Sequence, residues 1–197
     1  MPIRVDVLKK EGVTNIMILY EDFLRKKSKE KLGKFVALTE SCKFEVDKQY
    51  DIFISHSIKD KELIDGLAIA LEEAGYTFFI DWKEDEFKNR ADVSRETARR
   101  LKEYMDNCTS LVYVSTENTS LSRWCPWELG YVDGKKNKVA ILPILKEIQG
   151  NEYEGEEYLG IYPYVRYTLI QDKKEYDFWV KDVGIDSQPL RNWLERK

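Results

Sequence analysis

The stretch YDIFISHSIKD, Tyr50 to Asp60, decides the fold. Tyr50–Ser55 is a short apolar run rich in β-branched and aromatic residues. It reads as a strand covered on both faces. Ser57-Ile-Lys-Asp60 reads as a capping-box-like helix start. Leu63, Ile64, Leu67, Ala68, Leu71 and Ala74 then recur at helical spacing, and Gly75 supplies a C-terminal cap. Strand followed by helix with so short a join is the first half of a βαβ unit.

The alternation continues outward from there. Tyr76–Ile80 (YTFFI) reads as a second strand and Lys83–Arg90 as a charged loop. Asp92 to Asn107 reads as a helix with Val93, Leu101, Tyr104 and Met105 on its apolar side. Ser110–Ser115 is a third strand. Ser122 caps a helix running through Trp127, Leu129 and Tyr131 to Asp133-Gly134, and Val139–Ile144 is a fourth strand closed by Pro143. This pattern predicts an α/β chain: a flavodoxin-like three-layer α/β/α fold with a mostly parallel sheet. Tyr164–Ile170 is the candidate fifth strand and Gln188–Glu195 a terminal helix, while the Glu- and Tyr-rich segment from Gly150 has no clear period. Residues 1–49 read as an N-terminal helical extension with a helix around Ile16–Leu32. Residues 50–197 read as the main domain, with its core in 50–145 and a C-terminal part in 146–197.

Composition narrows the function. The chain has 197 residues and a net charge of −4, so bulk electrostatics disfavour nucleic acid as a partner. No apolar run approaches the ~20 residues a membrane helix needs, and Met1–Lys10 has no apolar signal core. Cys42, Cys108 and Cys125 are odd in number, share no metal spacing and read as free thiols of a reducing cytoplasm. A single histidine, His56, excludes a multi-histidine metal site, and no metal or cofactor is expected. There is no GxxxxGK[ST] run and no GxGxxG after a strand. The strand ends Ser55-His-Ser57 and Ser115-Thr116 lack the acidic residues a phospho-receiver needs.

In an open parallel sheet a ligand binds beyond the carboxyl ends of the strands, where the strand order reverses. In the order 2-1-3-4-5 that crevice lies between the first and third strands. The groups carried to that edge are Ser55, His56 and Ser57, then Asp81 and Trp82, then the loop before Trp124. Trp124 and Glu128 are i and i+4 and share one helix face. Pro126 suits a first turn, and the helix dipole favours an ionised Glu128. An indole and a carboxylate suit cleavage of an N-glycosidic bond whose leaving group is already cationic. Nicotinamide leaves NAD+ as a neutral base without an acid's proton, through an oxocarbenium-like transition state that a carboxylate stabilises. The same spacing also fits a core tryptophan beside a solvated glutamate. His56 equally suits a hydrogen bond to loop backbone, Asp81 a turn cap, and Cys125 a half-buried thiol with no second histidine to activate it.

YDIFISHSIKDKE resembles the first box of TIR (Toll/interleukin-1 receptor) domains of the bacterial kind. FFIDWKEDEF, SLVYVST, SRWCPWELG and VAILPI follow in the family's order across about residues 50–145. The resemblance implies NAD+ consumption, with Glu128 as the glutamate of a W-C-x-x-E type motif and Trp124 lining the nucleotide pocket. It implies that the loop Asp81–Arg90 gates that pocket and mediates self-association into a homo-oligomer. That loop has neither the Pro nor the Gly that animal receptors carry there. Stand-alone bacterial relatives in anti-phage systems such as Thoeris convert NAD+ to nicotinamide plus ADP-ribose or a cyclised isomer, which activates a separate effector protein. The expected function is therefore an NAD+ glycohydrolase or cyclase with catalytic Glu128 and substrate-binding Ser55, His56, Ser57, Asp81, Trp82 and Trp124. A non-catalytic TIR–TIR interaction module and a nucleoside deoxyribosyltransferase-like hydrolase are the alternatives.

Overall fold

The computed structural model describes residues 13–17, 19–30, 45, 47–81, 94–146, 157–170, 175–182 and 184–196. Among the described residues nine strands form one sheet: β1 (Val13–Met17), β2 (Leu19–Tyr20), β3 (Tyr50–Ser55), β4 (Phe78–Phe79), β5 (Cys108–Ser115), β6 (Val139–Leu145), β7 (Tyr164–Ile170), β8 (Glu175–Asp182) and β9 (Ile185–Pro189). The helices are α1 (Glu21–Glu30), α2 (Lys61–Glu73), α3 (Arg95–Asp106), α4 (Trp124–Lys136) and α5 (Leu190–Glu195). The run β4-β3-β5-β6-β7 is the expected 2-1-3-4-5 order, and each neighbouring pair in it is parallel. β8 and β9 add an antiparallel edge that the sequence reading did not resolve.

Alternation along the strands builds two cores. Ile52 and Ile54 of β3 join Val112, Val114, Ala140 and Leu142 under α2, α1 and α5. Phe53, Leu111, Tyr113 and Ile141 point to the other face, under α3 and α4. Three layers result. The ends of the helices are tied down locally. Gly75 follows α2 with φ +77°, the left-handed turn a glycine supplies most cheaply. Lys136 of α4 donates to the carbonyls of Met105 and Asp106 at 2.8 and 3.0 Å, neutralising the C-terminal end of α3.

Four expectations are corrected. The second strand is only Phe78–Phe79, paired with Ile52 and Phe53. Tyr76 instead packs on Phe178, and its hydroxyl donates to Asp177 at 2.9 Å. The first helix starts at Glu21, not near Ile16, because the chain before it is extended. β6 and β7 meet only at Ile141↔Tyr164, after which β2 runs beside Ile144 and Leu145 and β1 beside Tyr167–Ile170. The N-terminal residues thus take hydrogen-bonding edges that the sheet would otherwise expose. Finally, the helix after Ser94 begins at Arg95, with the Ser94 hydroxyl accepting the Thr97 N–H at 3.1 Å, and the terminal helix begins at Leu190.

Candidate active site at the strand-order switch

β3 and β5 lie side by side, yet the chain proceeds from β3 to β4 on one side and from β5 to β6 on the other. Their outgoing loops must part, and a crevice opens between them. It is a cavity of about 250 Å³ lined by Ser57, Ile58, Lys59, Asn118, Leu121, Ser122 and Trp124. One wall is the 3-10 turn Ile58–Asp60, started by Ser57, whose hydroxyl accepts the Lys59 N–H at 3.4 Å. The other is the loop ending in α4. There the Ser122 hydroxyl accepts the Cys125 N–H at 3.3 Å and so satisfies a first-turn donor.

Trp124 is the first residue of α4 and only 8% exposed. Its ring stands edge-on to Trp127, with centroids 5.4 Å apart, and Trp127 stacks on Tyr131. This aromatic row fixes the indole as one wall of the cavity. One turn along the same helix, Glu128 is 0% exposed, which removes the solvated-glutamate reading. Ser55, the last residue of β3, donates its hydroxyl to Glu128 Oε2 at 2.6 Å. A hydroxyl-to-carboxylate bond this short is of the strong, charge-assisted kind. Strand end and helix are thereby joined at the carboxylate.

His56 is fully buried, and its Nδ1 lies 3.0 Å from the Ile54 carbonyl oxygen. A carbonyl can only accept, so Nδ1 carries the proton and orients the ring. The His56 carbonyl in turn accepts the Cys125 thiol at 3.2 Å. Cys125 therefore ties the strand-end bend to α4, and both it and Cys108 are free, buried thiols. Asp81 is buried at the end of β4, on the same sheet edge. Trp82 and the loop Lys83–Arg90 lie outside the described residues.

The site thus has two tiers. Ser57 and Trp124 line the cavity. Ser55, His56 and Glu128 form a buried layer at the strand end and the first turns of α4. Sequence reasoning missed Ile58, Lys59, Asn118 and Leu121, which line the same cavity. Their signal was positional: each belongs to a loop leaving β3 or β5 at the switch. The cavity can hold a flat ring against the indole, while the Glu128 carboxylate lies outside its lining, buried one turn further along the same helix and bonded to Ser55.

A family model described as "TIR domain" matches residues 52–179. A protein of Bacillus cereus (strain MSX-D12) named "Probable 3' cyclic ADP-D-ribose synthase ThsB'" is 44% identical over 153 residues, 78% of this chain and 79% of that one. A Cytobacillus dafuensis protein named "Putative cyclic ADP-D-ribose synthase TIR2" is 36% identical over 93 residues, 47% of this chain and 24% of that longer one. Among solved structures, the TIR domain of the Toll-related receptor TRR-2 from Hydra magnipapillata aligns at 22% identity and TM-score 0.41, covering 56% of this chain and 78% of that one. With the family model covering well over half of the sequence, and the switch crevice built from its boxes, the chain belongs to the TIR domain family.

Proposed function

We infer that this protein cleaves the bond between nicotinamide and ribose in NAD+ and closes the remaining ADP-ribose into a cyclic isomer. The carrying observation is the fully buried Glu128 carboxylate, held by Ser55 and carried by the helix whose first residue, Trp124, walls the cavity. The two bacterial relatives bearing cyclic ADP-D-ribose synthase names support the same reaction.

In this reading the nicotinamide ring stacks on Trp124, with Ile58 and Leu121 as further apolar walls. Ser57 faces the ribose. The C1′–N bond breaks, and nicotinamide takes the bonding electrons and leaves neutral. The sugar is left as an oxocarbenium ion, which the Glu128 carboxylate stabilises electrostatically. Ser55 keeps that carboxylate in place, His56 stiffens the strand-end bend through the Ile54 carbonyl, and Asp81 is assigned to the substrate side on its place at the sheet edge. Trp82, which follows Asp81 in the sequence, is assigned to the substrate side on its sequence position alone. Capture by water gives ADP-ribose, whereas capture by another atom of the same molecule gives the cycle. A carboxylate removed from solvent favours the second, because few waters compete. NAD+ is substrate here, not cofactor.

Production of a cyclic nucleotide signal fits the anti-phage role that the sequence resemblance implies, with a separate effector responding to the product. Free, buried Cys108 and Cys125 suit action in the reducing cytoplasm. Among the described residues no helix is long and apolar enough to cross a membrane. Self-association through the segment Asp81–Arg90 is part of the proposal. It predicts specific activity that rises with protein concentration.

The reaction is tested by incubating the protein with NAD+ at micromolar to high micromolar enzyme and identifying products by mass. Equimolar nicotinamide and a product of ADP-ribose mass minus one water are expected. Intact NAD+ at every concentration, together with reversible assembly, would favour the non-catalytic interaction module instead.

A further inference from the structure

Asp60 stands at the N-terminal end of α2, where an aspartate ordinarily accepts N–H groups of its own helix. It does not: its side chain makes no capping bond there. The residue is 4% exposed, and its carboxylate reaches across to the loop leaving β5. Oδ2 accepts the Thr116 hydroxyl at 2.6 Å, and Oδ1 accepts the side-chain amide N–H of Asn118 at 2.6 Å. The Thr116 hydroxyl oxygen also receives the backbone N–H groups of Asn118 and Thr119, each at 3.2 Å. The Thr119 hydroxyl donates to the Val114 carbonyl at 2.7 Å. Every one of these bonds fixes the loop that carries Asn118.

The chemistry of the pair decides how Asn118 is turned. A carboxylate has acceptors and no donor, so the amide nitrogen of Asn118 must face Asp60. The amide oxygen is thereby left as the acceptor of a residue that lines the cavity. At about 250 Å³ the cavity is smaller than the ~300–1,000 Å³ pockets that enclose a drug-sized ligand, so it admits one end of a dinucleotide. Trp124, from the same helix face as Glu128, selects the end bearing the scissile bond.

We propose that Asn118, locked by Asp60, accepts a hydrogen bond from the carboxamide N–H of the nicotinamide group, making Asn118 a specificity-determining residue and Asp60 its positioning residue. This rests on the NAD+-cleaving reading above. A carbonyl oxygen at that point welcomes a carboxamide and repels a carboxylate. The protein therefore distinguishes NAD+ from nicotinic acid adenine dinucleotide, in which a carboxylate replaces the carboxamide.

The test is the ratio of kcat/KM for these two dinucleotides, which cancels any loss of folded protein. The wild type should favour NAD+ at least ~10-fold, since a site built around a donor rejects an analogue lacking it. Asn118→Ala should bring the ratio close to one, mainly by raising KM for NAD+. Asp60→Asn, whose amide no longer forces one orientation on Asn118, should lower the ratio severalfold. The double variant should match Asn118→Ala alone. A ratio unchanged in Asn118→Ala, or an equal loss for both dinucleotides, overturns the carboxamide contact. A ratio unchanged in Asp60→Asn overturns the positioning role. Nicotinamide and nicotinate are titrated against the same four proteins by tryptophan fluorescence, independently of turnover. Selective nicotinamide binding that Asn118→Ala abolishes, in a wild type that never cleaves NAD+, would remove the enzymatic reading and keep this one. Equal binding of both ligands by the wild type overturns it.

Discussion

Ser55 directs its one hydroxyl proton at Glu128, and that choice shapes the buried tier of the site. A hydrogen bond to a charged group contributes about 1.5–3 kcal/mol, and a buried carboxylate deprived of a donor is costly. Ser55→Ala should therefore lower kcat by on the order of 10-fold while changing KM little, which steady-state nicotinamide release would check. An unaltered kcat would mean the bond is ornamental. Cys108 offers a separate check at this scale. Burial pushes its thiol up to about 12, and it donates to the Tyr104 carbonyl at 3.3 Å. At pH 8 almost no thiolate exists, so iodoacetamide should leave Cys108 unlabelled in the native protein and modify it once the chain is unfolded, as read by peptide mass. Fast native labelling would contradict the packing. Of the site, the pairing of Trp124 with Glu128 was legible because i and i+4 share a helix face. The bond to Ser55 was not, since its partners lie 73 residues apart and meet only through the stacking of helix on sheet.

Helix α2 contains Gly66 in its interior, where glycine costs about 1 kcal/mol relative to alanine. The reason lies in its neighbour. A Cβ at Gly66 would sit 2.1 Å from the Leu24 carbonyl oxygen, so α1 and α2 approach too closely for any side chain. Arg25 pairs with Glu62 across this contact, and Lys27 with Glu73 at 2.6 Å. Gly66→Ala should destabilise by about 1–3 kcal/mol despite its better helix propensity, because backbone must move. Thermal melting checks this, and a stabilised variant would refute the close approach. No local rule of sequence reveals such a contact: the glycine looks like a weak point in a helix until the second helix is in place. The same holds for Val13–Met17. Its apolar residues merge with the helical spacing that follows, and only the open edge of β7 makes them a strand.

At the scale of the molecule, the parallel order was readable because each strand–helix–strand join is short and each strand is apolar throughout. The antiparallel edge was not, since β8 alternates charged and aromatic residues (EYDFWVKD) with only its middle buried. Residues 1–49, read as an extension, give β1 to β7, β2 to β6, and Leu19 and Leu24 to the core. Burying each such leucine contributes about 1.5–3 kcal/mol. A chain shortened to residues 50–197 should thus melt on the order of 10 °C lower, or fail to stay in solution. An unchanged melting temperature would show that the extension is separable.

The central claim is that the buried carboxylate at the head of α4 stabilises the sugar cation. Glu128→Gln keeps the shape and a hydrogen-bond acceptor for Ser55 but removes the charge. The decisive measurement is nicotinamide release from NAD+ by this variant beside the wild type, at equal high concentration and with matched melting curves. A fall of at least 10²–10³-fold with the fold retained is predicted. Turnover within a few-fold of wild type by the folded variant would contradict it.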